Sequence, residues 1–354
     1  MIRNKEKFRR RRVAGILWFA GFVAALYAYW LVMADFVVRN FWDPPYEMKL
    51  ERLEAQQAKY PGHPLWLLMG SSRVMVGVRP DVLAGRLGEK DAPLVFNFGM
   101  GGVGLARQFI YFKRLLHDGI KPRRVGIEVF EADIAHEIFA ASDGPFLATR
   151  ARENEIGDYL RYSTTPPDFA EIRSRSRWDP IFRYGMIMPN QTLSWRILPL
   201  PGIRRLEKVP YDKWGWVMIE STTQEDEYGK IFAINKARYE GDFAHFAVAP
   251  KSDLVLRDYL ALCRDQGIEA FFLKMPEADD FRAMHTAEGD AALAAYLAKL
   301  QEEFGDPLVD ASTWIERSGF SDGHHLNGVG AAQFTNRLGA ELYALKWAPP
   351  KARQ

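Results

Sequence analysis

Three short segments, far apart in the chain, carry residue types that together can transfer an acyl group. The first runs from Met69 to Arg73 and contains Gly-Ser-Ser directly after an apolar stretch. A serine on such a turn exposes its hydroxyl, and its backbone N–H can face a developing oxyanion near a helix N-terminus. Serines are also common helix caps, so this segment alone predicts either a nucleophile or a cap.

The second segment, Asn97 to Gly102, is rich in glycine and follows another apolar run. Glycines let a backbone approach a ligand closely, so the N–H of Gly102 and the Asn97 amide could complete an anion-binding site. Gly99, Gly101 and Gly104 also have the spacing of a dinucleotide-binding loop. The N-terminal segment described below indicates a position outside the cytoplasm, away from nicotinamide cofactors, which disfavours a dinucleotide-binding loop. A glycine-rich turn without function is a further alternative to the anion-binding site.

The third segment, Ser321 to Asn327, places Asp322 three residues before His325. An aspartate at this spacing can bind one imidazole nitrogen while the other nitrogen faces a serine hydroxyl as general base. The adjacent His324 and His325 could instead bind a metal, but few carboxylates and no cysteine lie at ligand spacing nearby. We therefore expect neither a metal nor a cofactor.

The composition is that of an ordered globular protein, with 48% hydrophobic and 26% charged residues among 354. Lys and Arg total 47 against 45 Asp and Glu, which argues against a nucleic-acid-binding protein that neutralises many phosphates. Cys263 is the single cysteine, which excludes an intrachain disulfide and a cysteine-based metal site.

The N-terminus carries the strongest local signal. Residues 1–12 form a basic tail, and Val13 to Met33 then contains no charged residue. A helix of this length spans roughly 30 Å, the thickness of the hydrocarbon core of a bilayer. The apolar region of a cleaved signal peptide is shorter, so a retained transmembrane helix over 13–38 is favoured. The basic tail predicts a single-pass protein of the bacterial inner membrane, with a cytoplasmic N-terminus and a periplasmic remainder.

We expect a helical stalk over 39–63, because Tyr46, Leu50 and Leu53 have helical spacing, and a catalytic domain over 64–354. The stalk would space that domain from the membrane. The stretch of about 140–250 shows no clear alternation of strands and helices, and we interpret it as an insertion. It would supply walls of the substrate site, a partner surface or an extra packed subdomain.

Elsewhere, short apolar runs alternate with longer amphipathic segments. This order predicts an α/β domain of three layers (α/β/α) around a doubly wound parallel sheet. The predicted strands are Leu65 to Met69, Leu94 to Phe98, Arg124 to Phe130, Glu269 to Lys274 and Pro307 to Val309. The predicted helices are Pro80 to Leu87, Gly104 to His117, Asp253 to Gln266, Ala291 to Phe304 and Gly328 to Leu345.

A serine turn, then glycines after the next strand, then Asp-x-x-His before the last helix is an order that resembles the SGNH (GDSL-type) hydrolase superfamily. The resemblance covers roughly Leu65 to Leu345, apart from the insertion, and implies a flavodoxin-like fold. The chain looks most like the membrane-anchored teichoic-acid D-alanylation proteins, which share the Gly-Ser-Ser motif. The alginate O-acetylation proteins are a looser comparison.

The resemblance implies a role for each motif residue. Ser72 would be the nucleophile, His325 the base and Asp322 its orienting acid. Gly102 would be a second oxyanion donor, and His324 a neighbour of the site.

Two positions depart from the pattern or have two interpretations. The third motif of the superfamily, Gly-x-Asn-Asp, appears here as Phe130-Glu131-Ala132-Asp133, so its oxyanion-stabilising asparagine is missing. Losing one such donor can cost roughly 2.7 to 4 kcal/mol of transition-state stabilisation. Arg73 either binds an anionic acyl donor or acceptor, or forms a structural ion pair.

These motifs and the membrane segment favour acyl transfer in the cell envelope through an acyl-Ser72 intermediate, with acetyl as the expected group and a polysaccharide hydroxyl as acceptor. A multispanning membrane acyltransferase would be a partner. A carbohydrate esterase with the same triad is one alternative, because water can replace the acceptor. A non-catalytic scaffold or binding subunit is the other, because of the missing asparagine.

Overall fold

The computed structural model describes residues 2–32, 43–87, 93–135, 151–162, 209–219 and 225–345. The strands are β1 (Leu65–Met69), β2 (Leu94–Asn97), β3 (Arg124–Glu128), β4 (Glu269–Lys274) and β5 (Leu308–Asp310). The helices before the insertion are α1 (Ile2–Val32), α2 (Pro44–Lys59), α3 (Ser72–Gly77), α4 (Pro80–Arg86), α5 (Leu105–His117) and α6 (Glu131–Ala135). The later helices are α7 (Ile156–Tyr162), α8 (Glu225–Ala244), α9 (Pro250–Asp265), α10 (Asp279–Arg282), α11 (Ala287–Phe304) and α12 (Gly328–Ala344).

The five strands form one parallel sheet in the order β2-β1-β3-β4-β5. The chain therefore winds outward from β1 in one direction to β2 and in the other direction to β3. In open parallel sheets, the crevice at the carboxyl ends of the strands at such a switch point is the usual ligand site. Ser72 follows β1 and lies at this point of the sheet.

Alternate side chains of the strands face different helix layers. Leu65, Leu67 and Met69 of β1 belong to a core cluster that includes residues of α2, α5 and α9. Trp66 and Leu68 belong to a second cluster with residues of α4 and α12. The predicted three-layer α/β fold with a parallel sheet is therefore confirmed. Burial of β1 on both faces explains why its sequence is continuously apolar.

The helix predicted as a stalk is present as α2, but it packs on the sheet. Tyr46, Leu50 and Leu53 are almost fully buried in the core cluster of that face. The Nζ of Lys49 donates to the carbonyl of Asn97 at the end of β2, at 2.8 Å. These contacts make α2 a part of the α/β domain and not a free spacer, because its apolar stripe needs a surface to cover it. Residues 39–42, at the start of the expected stalk, lie outside the described residues.

The N-terminal helix α1 contains the segment Arg10–Tyr29, which is long and apolar enough to cross a membrane. Its apolar side chains lack cover from the described parts of the chain: Trp18 is 80% exposed and Phe19 is 71% exposed. Three arginines, Arg10 to Arg12, open this segment, and its uncharged part begins at Val13.

The structure describes three parts of the expected insertion, residues 151–162, 209–219 and 225 onward, and the rest of it lies outside the described residues. The long helix α8 within it packs against α6 at the carboxyl end of β3. The insertion therefore brings at least one helix to the edge of the sheet where the motifs lie.

Candidate active site

The turn that carries Ser72 is held by two hydrogen bonds of Ser71, one through its side chain and one through its backbone N–H. The Ser71 Oγ accepts a hydrogen bond from the backbone N–H of Arg73 at 3.1 Å and so caps α3. The backbone N–H of Ser71 donates to Glu128 Oε2 at 2.5 Å. The cap alternative raised by the sequence therefore applies to Ser71, whereas Ser72 is the first residue of the helix and its hydroxyl is left for another contact.

Ser72, His325 and Asp322 form a continuous hydrogen-bonded chain. His325 Nε2 lies 2.7 Å from Ser72 Oγ, and His325 Nδ1 lies 2.6 Å from Asp322 Oδ2. The second carboxylate oxygen, Oδ1 of Asp322, accepts from the backbone N–H of His325 at 2.8 Å. This geometry is that of a serine nucleophile, a general base and an orienting carboxylate. The structure thus brings together two segments that are 253 positions apart in the chain.

Two neighbours of His325, the acidic Asp322 and the basic His324, have pKa values below their ordinary ranges. Burial would raise the pKa of Asp322, but the hydrogen bonds from His325 and the charge of its imidazole bring this pKa well below its ordinary value. Burial holds the pKa of His324 well below its usual range. Asp322 is therefore ionised and His324 neutral near pH 7, so the carboxylate is available to stabilise an imidazolium on His325.

His324 is a neighbour of the site, as the resemblance implied. Its ring stacks on Phe281 with a centroid distance of 4.9 Å and meets Tyr239 of α8 edge-on. The Nδ2 amide of Asn235, also on α8, donates to the carbonyl of Asp322 at 3.3 Å. Helix α8 of the insertion therefore covers and positions the Asp322–His325 segment from one side.

The glycines of the first two motifs let two turns approach each other. A Cβ on Gly70 would lie 2.3 Å from a methyl carbon of Val74, and one on Gly99 would lie 2.5 Å from the backbone nitrogen of Met75 and 2.9 Å from the carbonyl oxygen of Ser71. The packing of the Ser72 turn therefore requires glycine, which has no Cβ, at both positions. The dinucleotide-loop alternative is not needed to explain Gly99.

We expect Gly99→Ala to destabilise the fold by about 1–3 kcal/mol, because backbone must shift to admit the methyl group. The same shift displaces the Ser72 turn and lowers the turnover of an ester substrate. Urea unfolding and ester hydrolysis measure the two effects. Gly85→Ala is the matched control, since a Cβ there meets open space on the short helix α4 and we expect stabilisation of about 0.4–1 kcal/mol. Equal stability of the Gly99 variant and the wild type would contradict the packing argument.

Asn97 supports the turn and does not face a substrate. It is fully buried, and its Nδ2 donates to the carbonyls of Val74 and Val78 at 2.7 Å each. Its Oδ1 accepts from the N–H of Gly99. Both amide protons are therefore engaged with backbone carbonyls, and the oxyanion contact predicted for Asn97 does not fit this geometry.

Arg73 is also buried, at 2% exposure. Its Nη2 donates to Glu277 Oε1 at 2.8 Å, its Nε lies 3.8 Å from Glu128 Oε1, and its guanidinium lies over the ring of Phe130. The geometry matches the ion-pair interpretation of Arg73 and not the interpretation as a substrate ligand.

Gly102 is exposed in the turn after β2, with a φ of 68°, a left-handed conformation that favours glycine. Ala132 is buried at the position where the superfamily motif has its asparagine, and an alanine side chain has no donor. The backbone N–H groups of Ser72 and Gly102 remain the candidate oxyanion donors.

Sequence reasoning missed three sets of residues that position the site: one at the end of β3, one in the insertion and one after β4. Glu128 is the last residue of β3 and follows the buried Val125, Gly126 and Ile127, and a charged residue after this run was a readable signal of a buried polar contact. Asn235 and Tyr239 come from the insertion, where no motif or spacing related them to the third segment. Glu277 follows β4 and pairs with Arg73, which also needed the fold to be known.

Comparison with known proteins gives a distant structural similarity. No family model and no curated protein matches the sequence. Among solved structures, the chain is similar to a crystal structure from Bacteroides fragilis described as a "putative acylhydrolase", at 13% identity and a TM-score of 0.36. The match covers 83% of this chain and 97% of that chain.

Proposed function

We propose that this chain is a serine-dependent acyl-transfer enzyme of the SGNH type, with Ser72 as nucleophile, His325 as base and Asp322 as its orienting acid. The observation that carries the proposal is the chain of contacts of 2.7 Å and 2.6 Å that His325 makes to Ser72 and Asp322. A non-catalytic scaffold would not need this alignment.

The proposed reaction has two balanced halves. Ser72 Oγ attacks the acyl carbonyl while His325 Nε2 takes the hydroxyl proton, and the imidazolium is stabilised by Asp322. The leaving group departs with that proton and leaves an acyl ester on Ser72. An acceptor hydroxyl then attacks the ester carbon, gives its proton to His325, and Ser72 recovers it as the acylated acceptor leaves.

The oxyanion formed in each half would be stabilised by the N–H groups of Ser72 and Gly102. This set lacks the asparagine of the superfamily motif, so we expect a slower reaction than a site with three donors would give. The loss of one donor lowers the rate but does not remove the nucleophile or its base.

The N-terminal helix supports a proposal for the substrate class. We propose that the uncharged part of α1, from Val13 onward, spans the bacterial inner membrane with the basic tail in the cytoplasm, which would put the catalytic domain in the periplasm. An exported or cell-envelope polysaccharide is then the acceptor, and acetyl is the group transferred. A multispanning membrane acyltransferase is the partner that would carry the acyl group across the membrane.

The test compares cells that carry the wild-type chain with cells that carry Ser72→Ala, at equal protein levels. We expect the acetyl content of the exported glycan to fall in the variant. Purified full-length protein given an acetyl ester should form an acetyl adduct on Ser72, detected by mass spectrometry, and the variant should form none. Ser318→Ala is the control, because Ser318 is an exposed serine outside the Ser72 turn.

Each other outcome has a defined meaning. A rise in glycan acetylation in Ser72→Ala cells would favour the esterase, in which water is the acceptor. No adduct together with unchanged acetylation would overturn both enzymatic functions and favour a scaffold.

A further inference from the structure

A second cluster of ionisable side chains lies behind the Ser72 turn, at the ends of β3 and β4. It comprises Glu131, Glu277, His285 and Asp290, and the first three of these side chains are at most 3% exposed. The triad does not include any of them. The carboxylates of Glu131, Glu277 and Asp290 instead surround the imidazole of His285.

Several carboxylate oxygens of this cluster are buried without a hydrogen-bond donor. Among the described residues no donor reaches Glu131 Oε1 or Glu277 Oε2, and Glu131 Oε2 has a 3.0 Å contact with His285 Nδ1. The Nε2 of His285 is likewise buried without a hydrogen bond. Buried charges in proteins are normally paired or bound to a metal, so these oxygens point to a cation that completes the cluster.

The ligand atoms have the separations of a metal site. His285 Nδ1 lies 3.0 Å from Glu131 Oε2 and 3.3 Å from Asp290 Oδ1, and ligand atoms of the three residues all lie within 4.8 Å of one another. Ligands bound to Zn²⁺ at about 2.0–2.1 Å in tetrahedral geometry lie roughly 3.3 Å apart. One imidazole with two carboxylates is a donor set that suits Zn²⁺ or Mn²⁺.

The surroundings of the imidazole have the further parts that metal sites use. Glu277 Oε2 lies 3.5 Å from His285 Nε2, the nitrogen opposite the proposed metal, and a carboxylate at that nitrogen commonly orients a ligating histidine. Phe243 packs on the His285 ring with a centroid distance of 4.2 Å. A cavity of about 450 Å³ is lined by His285, Glu277 and Asp290, and it gives an ion a path from solvent.

We propose that Glu131, His285 and Asp290 bind a divalent transition-metal ion of the Zn²⁺ class, with Glu277 orienting His285. A fourth ligand would come from the cavity that His285 and Asp290 line. Glu277 connects this site to the catalytic turn, because its Oε1 accepts from Arg73, the residue after Ser72. The metal would therefore support the carboxyl end of the sheet under the nucleophile without contacting substrate.

Two competing occupants of the cluster define the test. A proton on His285 could satisfy Glu131 and Glu277 in place of a metal, and the Lys274 Nζ lies 3.9 Å from Asp290 Oδ1. A second group of potential ligands, Asp322 with His324 and His325, could bind the ion instead. Variants of each group separate these outcomes.

Full-length protein in detergent is stripped with a chelator, dialysed against buffered Zn²⁺, and its bound metal is counted by mass spectrometry. We expect about one Zn²⁺ per wild-type chain, at least about a tenfold weaker affinity in His285→Ala and Asp290→Asn, and unchanged binding in His325→Ala. His117→Ala is the control for a surface histidine beside an aspartate. Because Asp290 is 53% exposed, Asp290→Asn should keep the fold even if His285→Ala does not.

A second measurement does not depend on counting ions. Zn²⁺ should raise the thermal unfolding temperature of the wild type and of His117→Ala, and not that of Asp290→Asn. Absence of Zn²⁺ binding in the wild type, or equal binding in wild type and Asp290→Asn, would overturn the proposal. So would a loss of binding in His325→Ala alone. None of these results depends on acyl transfer, so the two proposals can fail separately.

Discussion

Replacing His325 with alanine is expected to lower the kcat for an acetyl ester by about 10⁴- to 10⁶-fold. The reason is geometric: Nε2 of this imidazole is 2.7 Å from the Ser72 hydroxyl, and no other base contacts that hydroxyl among the described residues. Without it, Ser72 must lose its proton to water, and the leaving group must depart without a general acid. Burst and steady-state kinetics with a chromogenic acetyl ester measure the change.

The members of the triad should behave as a unit. The double variant Ser72→Ala with His325→Ala is expected to be no slower than either single variant, since each removes the same proton transfer. Asp322→Asn should cost about 10⁴-fold, because an amide favours the wrong tautomer of the imidazole. His245→Ala, on the exposed surface, is the control and should keep wild-type kcat. Full activity in His325→Ala would remove the basis of the proposed mechanism.

Most of the fold was predictable because its signals are local. β1 and β4 have the bounds that the sequence predicts. Of the helices after them, α4 and α11 were predicted to within one and four residues at one end, whereas the short helices α3 and α10 were not predicted. Continuous apolar runs identify strands buried on both faces, and amphipathic segments between them imply crossover helices. The packing of α2 was not predictable in the same way. The apolar stripe of Tyr46, Leu50 and Leu53 shows that one face of this helix is buried, but not which part of the chain packs against it.

The residues of the candidate site also fall into those that local sequence predicts and those whose contacts depend on packing. The three triad residues stand in short motifs whose order resembles a known superfamily, so their convergence could be predicted from the sequence. The functions expected of Asn97 and Arg73 depended instead on which way each side chain points. Asn97 turns into the backbone of the Ser72 helix, and Arg73 turns toward Glu277, 204 positions away. Sequence distance hides such contacts, and only packing reveals them.

Arg73→Ala is expected to lower the free energy of unfolding by about 3–5 kcal/mol. Arg73 pairs with Glu277 and Glu128, whose side chains are 1% and 0% exposed, so its removal leaves buried carboxylates without their cation. Arg73→Met keeps most of the side-chain volume, and we expect it to be nearly as destabilising, because the lost charge and not the lost packing dominates. Urea unfolding of the full-length chain gives both values.

Arg79→Ala provides the matched comparison, because this arginine pairs with Asp81 at the surface, where the two side chains are 28% and 43% exposed. An exposed pair contributes about 0–1 kcal/mol, so the two arginines, six positions apart on the same short stretch, should differ several-fold in effect. A substrate ligand would behave oppositely, with a raised KM at unchanged stability. An Arg73→Ala variant of wild-type stability with a raised KM would therefore restore the anion-binding function that the buried ion pair argues against.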